Sequence, residues 1–116
     1  MQTIEIPREQ WPTAVTSIGE RHRRSLVSLD ILGPEVGAQP EVRSMPLEGI
    51  SAEPPNKGGT VSIFVERSLD DHLTHLIEKP TRIRVERTDE GEDVAMQIEA
   101  ADGTSTIVTF LSPANG

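Results

Sequence analysis

Val94-Ala95-Met96-Gln97-Ile98-Glu99-Ala100-Ala101-Asp102-Gly103-Thr104-Ser105-Thr106-Ile107-Val108-Thr109-Phe110 is the stretch that decides the fold. Val94, Met96, Ile98 and Ala100 alternate with Ala95, Gln97 and Glu99, the two-residue period of a strand with one buried face. Ala101-Asp102-Gly103 is turn chemistry, and Thr104 to Leu111 alternates again. Turn length sets the register. A two-residue Asp-Gly turn opposes Val94 to Leu111 and leaves Val108 and Phe110 on the outer face. A three-residue turn, with Gly103 left-handed in a bulge, sets Val94 opposite Phe110, Met96 opposite Val108 and Ile98 opposite Thr106. The second register buries the Phe110 ring on the Met96 face, and it is the one expected.

Working back from this hairpin, Thr81 to Glu86 also alternates, and Asp89-Glu90-Gly91-Glu92-Asp93 reads as a solvated hairpin tip. The spaced acids of a calcium loop are missing from it. Ser68 to Lys79 supports two readings. Leu69, Leu73, Leu76 and Ile77 fit a helix capped by Ser68 and Asp71, whereas Leu73, His75 and Ile77 fit a strand. We take a strand from His72 to Glu78, with Pro80 at a kink or an edge. Val61, Ile63 and Val65 mark a strand from Thr60 to Glu66, after a turn at Pro54 to Gly59. Glu41 to Glu53 is extended and broken by Pro46, and the slip in phase between Leu47, Ile50 and Ala52 points to a bulge at Gly49. Val27, Leu29 and Ile31 form a strand that ends at Gly33-Pro34, with a loop to Pro40.

Pro7 to Arg24 reads as a helix. Trp11, Val15, Ile18 and His22 fall on one stripe with Ala14 beside them. Pro12 lacks an N–H, so the helix is expected to start tight and become regular after it. Gly19 weakens it by about 1 kcal/mol relative to Ala, so packing must hold it. His22 reads as a boundary residue, and Arg21, Arg23 and Arg24 suit the negative end of the helix dipole. The fold class is α+β: one domain, 1–116, with an N-terminal amphipathic helix packed on an antiparallel sheet of about six strands, flat or curled toward a small barrel.

Composition excludes several functions. Among 116 residues, 11 Lys and Arg stand against 19 Asp and Glu, a net charge of −8 that disfavours nucleic acid as a partner. With no cysteine there are no thiolate nucleophiles or zinc–thiolate sites. No apolar run is long enough to cross a bilayer as a helix, and Met1 to Ile6 lacks the basic and apolar regions of a secretory signal, so the expected compartment is the cytoplasm. Trp11, Phe64 and Phe110 are the only aromatic residues, too few for a binding surface built on aromatic anchors.

Ile6-Pro7-Arg8-Glu9-Gln10-Trp11, Leu32-Gly33-Pro34 with Gly37-Ala38-Gln39, Pro46-Leu47-Glu48-Gly49-Ile50, Asp70-Asp71-His72 through His75, and Ala101-Asp102-Gly103-Thr104 ending at Phe110 together resemble a family of short bacterial proteins catalogued as a domain of unknown function. The resemblance runs from Ile6 to Phe110 and implies no activity and no catalytic residue.

The chemistry-bearing candidates are few. Asp71, His72 and His75 form the main cluster: on a helix the two histidines share a face and could share a metal, and on a strand they point apart. Ser68, Asp70 and His72 contain the residue types of a hydrolytic triad, but sequence neighbours on an extended chain rarely meet in triad geometry. Arg82 and Arg84 lie on the outer face of their strand, either as an anion site or paired with acids such as Glu99. Asp71, His72, His75, Arg82 and Arg84 are therefore the candidate ligand-binding residues, and no cofactor is expected. The leading expectation is a non-catalytic binding module that uses a strand edge or a sheet face to meet itself or another protein. The alternative is a small metal-dependent protein or enzyme centred on Asp71, His72 and His75. Leu26, Phe64, Ile107 and Leu111 fall out of phase with the main core and line either a second barrel layer or an interface such as that of a homodimer.

Overall fold

The computed structural model describes residues 1–35 and 37–111. Eight strands are present among them: β1 (Gln2–Glu5), β2 (Leu26–Gly33), β3 (Gly37–Ala52), β4 (Val61–Ser68), β5 (Asp71–Ile77), β6 (Pro80–Arg87), β7 (Asp93–Ala100) and β8 (Ser105–Phe110). They form one antiparallel sheet in the order β1-β6-β7-β8-β2-β3-β4-β5. The helix α1 (Trp11–Arg21) follows a 3-10 turn at Arg8–Gln10.

The β7–β8 hairpin has the expected register, with Met96 opposite Val108 and Ile98 opposite Thr106. Gly103 takes φ +89°, and Ala100 donates its N–H to the Thr104 carbonyl, which closes the three-residue turn. Met96, Ile98 and Val108 are inaccessible to solvent and Phe110 is buried with them. The strand reading of His72 to Glu78 also holds.

The sheet departs from expectation in strand number and in closure. Eight strands stand where about six were expected. One addition is β1, too short to show a period; its backbone pairs with β6 from Gln2↔Arg87 to Glu5↔Arg84. The supposed loop before Pro40 is extended from Gly37 onward and pairs with β2. The sheet does not close into a barrel. β1 and β5 are its edges, and no ladder joins β5 to β6 among the described residues although only Glu78 and Lys79 separate them. The long strand β3 serves two neighbours in succession: Gly37 to Pro46 pair with β2 and Leu47 to Ala52 with β4. The β3–β4 register shifts between Leu47 and Gly49, so Leu47 and Ile50 both face inward.

The helix covers β3 and buries the expected stripe of Trp11, Val15, Ile18 and His22. Pro12 is harmless because it lies in the first turn, where backbone N–H groups have no partner inside the helix. Trp11 donates its Nε1–H to the Ile6 carbonyl at 3.0 Å, which ties the helix start to the chain leaving β1. Gly19 has a role that propensity does not show. A Cβ there would lie 2.6 Å from the Ile50 backbone nitrogen, so only glycine lets the helix approach β3 this closely. No helix among the described residues is long and apolar enough to cross a membrane.

Candidate functional site

The five candidate ligand-binding residues do not come together. On β5, His72 is exposed and its Nδ1 lies 2.7 Å from Glu48 Oε1. That hydrogen bond, aided by the charge of Glu48, raises the His72 pKa above the ordinary imidazole value. Asp71 accepts a hydrogen bond from Arg67 Nε at 2.7 Å, which lowers its pKa. His75 sits three residues along the strand from His72 and faces the other way, half-buried. Arg82 and Arg84 lie on β6, paired with Glu5 at 3.3 Å and with Glu99 at 3.0 Å. Ser68 and Asp70 make no hydrogen bond to His72, and the described residues contain no group of three metal-ligating side chains. The metal-centred alternative therefore has no geometry to support it.

Two candidates line cavities: Arg84, with Thr3, Glu86, Ala95, Gln97 and Ile107, lines a hollow of about 350 Å³ on the outer face, and His75 lines a cleft elsewhere. A cleft of about 400 Å³ opens between β5 and the β7–β8 turn, lined by Ile31, His75 to Glu78, Ala100, Asp102, Thr104 and Thr106. His75 Nε2 lies 3.5 Å from Thr106 Oγ1 on its wall. Burial lowers the His75 pKa, against a smaller opposing effect of Glu41, and so favours the neutral ring. Asp102 accepts hydrogen bonds from the Thr104 N–H at 2.9 Å and hydroxyl at 2.7 Å, and they lower its pKa.

Beside the cleft, β5 presents an open edge. It pairs only with β4, from Val61↔Ile77 to Ser68↔Asp71. No backbone hydrogen bond reaches its other side among the described residues. Its seven residues contain no Lys and no Pro, the usual means of blunting an edge. The opposite edge, β1, is only four residues long. Leu76 stands exposed on β5, and Phe64 on β4 is exposed one diagonal step away.

The most tightly built polar cluster lies elsewhere, in residues that the sequence placed on the surface. Asp93, expected at a solvated tip, has a side chain only 3% exposed. It accepts from Arg87 Nε at 2.8 Å and Arg21 at 2.9 Å, and its Oδ2 lies 2.8 Å from His22 Nε2. Burial pushes the Asp93 pKa up, but hydrogen bonds from Arg87, His22 and Arg21 outweigh it and the net shift is downward. His22 is core rather than boundary, stacked on Phe110 with centroids 4.0 Å apart. The hint in the sequence was positional and concerned His22 alone, which continues the Trp11 stripe; plain alternation would turn Asp93 away from the Val94 face, and the register shift between Glu86 and Arg87 breaks that pattern.

Of the out-of-phase apolar residues, Leu26, Phe64 and Leu111 are exposed and Ile107 half-buried, so they form no second barrel layer. Leu26 and Leu111 are neighbours, joined by a backbone hydrogen bond of 2.9 Å, whereas Phe64 lies apart on β4.

Fold and site together define an α+β architecture: an open antiparallel sheet of eight strands with one helix on it. The chain belongs to the family of unknown function DUF5335, whose model matches residues 2–116. It is also similar to an uncharacterized protein of the bacterium Aquifex aeolicus (strain VF5), 31% identical over 108 residues, which cover 93% of this chain and 91% of the relative. No solved structure matches the chain.

Proposed function

We propose that the protein is a non-catalytic interaction module that works by strand addition at β5, and that the added strand comes from a second copy of the chain. The observation that carries this reading is the unpaired, unblunted edge of Asp71–Ile77. Such an edge offers a row of backbone donors and acceptors to an extended partner. β5 is also compatible with itself. An antiparallel pairing about a two-fold axis at Thr74 sets Thr74 against its copy, Leu73 against His75, His72 against Leu76 and Asp71 against Ile77. No like charges oppose each other in that register. The net charge of −8 favours a protein over a nucleic acid as the partner, and the module is assigned to the cytoplasm, which cell fractionation tests.

Light scattering across a concentration series tests the proposal. Thr74 is exposed, so Thr74→Asp leaves the monomer intact while placing two carboxylates face to face at the axis. The wild type is expected to be a dimer at concentrations where T74D is a monomer. A wild type that stays monomeric throughout would contradict the proposal. So would a dimer that survives T74D and dissociates with Ile107→Asp, which moves the interface to the outer face of β8.

A further inference from the structure

We infer that the cleft between β5 and the β7–β8 turn binds a primary alkylammonium group, carried by a free amine or by a lysine side chain. The inference stands on the cleft alone and does not require strand addition. The volume of about 400 Å³ lies in the range of small-ligand sites. Its walls divide into two kinds of surface. Ile31, Ile77 and Ala100 offer an apolar track for methylenes, and the acidic groups in the lining, Glu78 and Asp102, are its fixed charges. Glu78 and Asp102 are carboxylates at the rim.

A second, independent feature is the Thr106 hydroxyl. Thr106 is 3% exposed and lines the cleft, and its only hydrogen-bonding neighbour is His75 Nε2 at the long distance of 3.5 Å. A hydroxyl has one donor and two acceptor positions, so this buried oxygen keeps acceptor capacity that no group of the described chain uses. An ammonium brings three donors and no acceptor, and matches such a wall.

Charge on the two sides of the molecule differs in the same sense. On the outer face Arg82 and Arg84 each hold a carboxylate, whereas neither Glu78 nor Asp102 has a cation within ion-pairing distance among the described residues. Glu41 adds negative charge close enough to affect His75. Lys79 adjoins Glu78 in the chain, but its side chain does not line the cleft. The cleft thus sets two carboxylates that hold no cation among the described residues beside an apolar slot, and an alkyl chain ending in a cation fits both.

The test is an NMR titration of the full chain that follows the His75 ring and the Thr104–Thr106 amides. Three probes are used: n-butylammonium, n-butyrate as its size-matched anion, and N-acetyl-lysine methylamide. The two cations are expected to shift these signals saturably, and n-butyrate to leave them in place. Glu78→Gln and Asp102→Asn, at two exposed residues, are each expected to weaken cation binding about tenfold with unchanged melting temperature. Tighter binding of n-butylammonium assigns the site to free amines, and tighter binding of the lysine derivative assigns it to lysine side chains. Equal shifts with n-butyrate, no shifts with either cation, or affinities indifferent to E78Q and D102N would overturn the inference.

Discussion

His22 and His72 each hold a carboxylate at nearly the same distance, 2.8 Å to Asp93 and 2.7 Å to Glu48, and differ in almost everything else. The first pair lies under Phe110, with both side chains 3% exposed and two arginines closing around the acid. The second lies in water on the β5 edge. A short contact is therefore no measure of what a pair contributes. The buried pair ties the end of α1 to β7. Removing one partner there strands the others, whereas the exposed pair exchanges one hydrogen bond for another with solvent.

The largest effect is expected at the ring that covers the buried pair. Phe110→Ala opens a cavity beside His22 and Met96 and should cost about 3–5 kcal/mol in urea unfolding. An unchanged midpoint would mean that the ring does not pack there. Next comes Asp93→Ala. It leaves His22 buried without its partner, while Arg21 and Arg87 are exposed enough to regain water, so the loss should be about 3 kcal/mol. Gly19→Ala follows and tests the seat of the helix. Helix propensity alone predicts a gain of about 1 kcal/mol. Contact with Ile50 at 2.6 Å predicts the opposite sign, a loss of about 1–3 kcal/mol. The smallest effect is expected at the exposed pair, where His72→Ala should leave the unfolding midpoint in place.

The pairs also separate by pH. The Asp93 pKa is lowered on folding, so its contribution is complete above the ordinary carboxylate range and is lost as pH falls through the folded value. The His72 pKa is raised, so its contribution is present below the ordinary imidazole value and fades as pH rises through the folded value. Stability measured against pH should show an acid loss that is reduced in Asp93→Asn, with the remainder coming from Asp71 and Asp102, whose pKa values are also lowered. Equal profiles for wild type and D93N would break the contrast.

Much of the fold was legible because alternation is written in single residues. The Val94–Phe110 hairpin, its register, the Trp11 stripe and the bulge near Gly49 all follow from which side chains are apolar and at what spacing. β1 was not legible, since Gln2–Glu5 lies on the surface and is held by backbone pairing that carries no side-chain pattern. The close approach at Gly19 was invisible for a similar reason: it depends on where Ile50 arrives, which only the bulge in β3 fixes. The candidate site was legible only at His75. Sequence proximity grouped Asp71, His72 and His75, but a strand points neighbours to opposite faces. The buried Asp93 cluster joins residues more than seventy positions apart, and no local motif announces it.

Hydrogen exchange of the β5 amides at low and high protein concentration tests strand addition most directly. Half of these amides bond to β4 and half point to the open side, by the alternation of an antiparallel ladder. Strand addition predicts that the outward amides of Asp71–Ile77 exchange freely in dilute solution and become protected as concentration rises, while the β1 amides do not change. Outward β5 amides that exchange at the same rate at every concentration would contradict it.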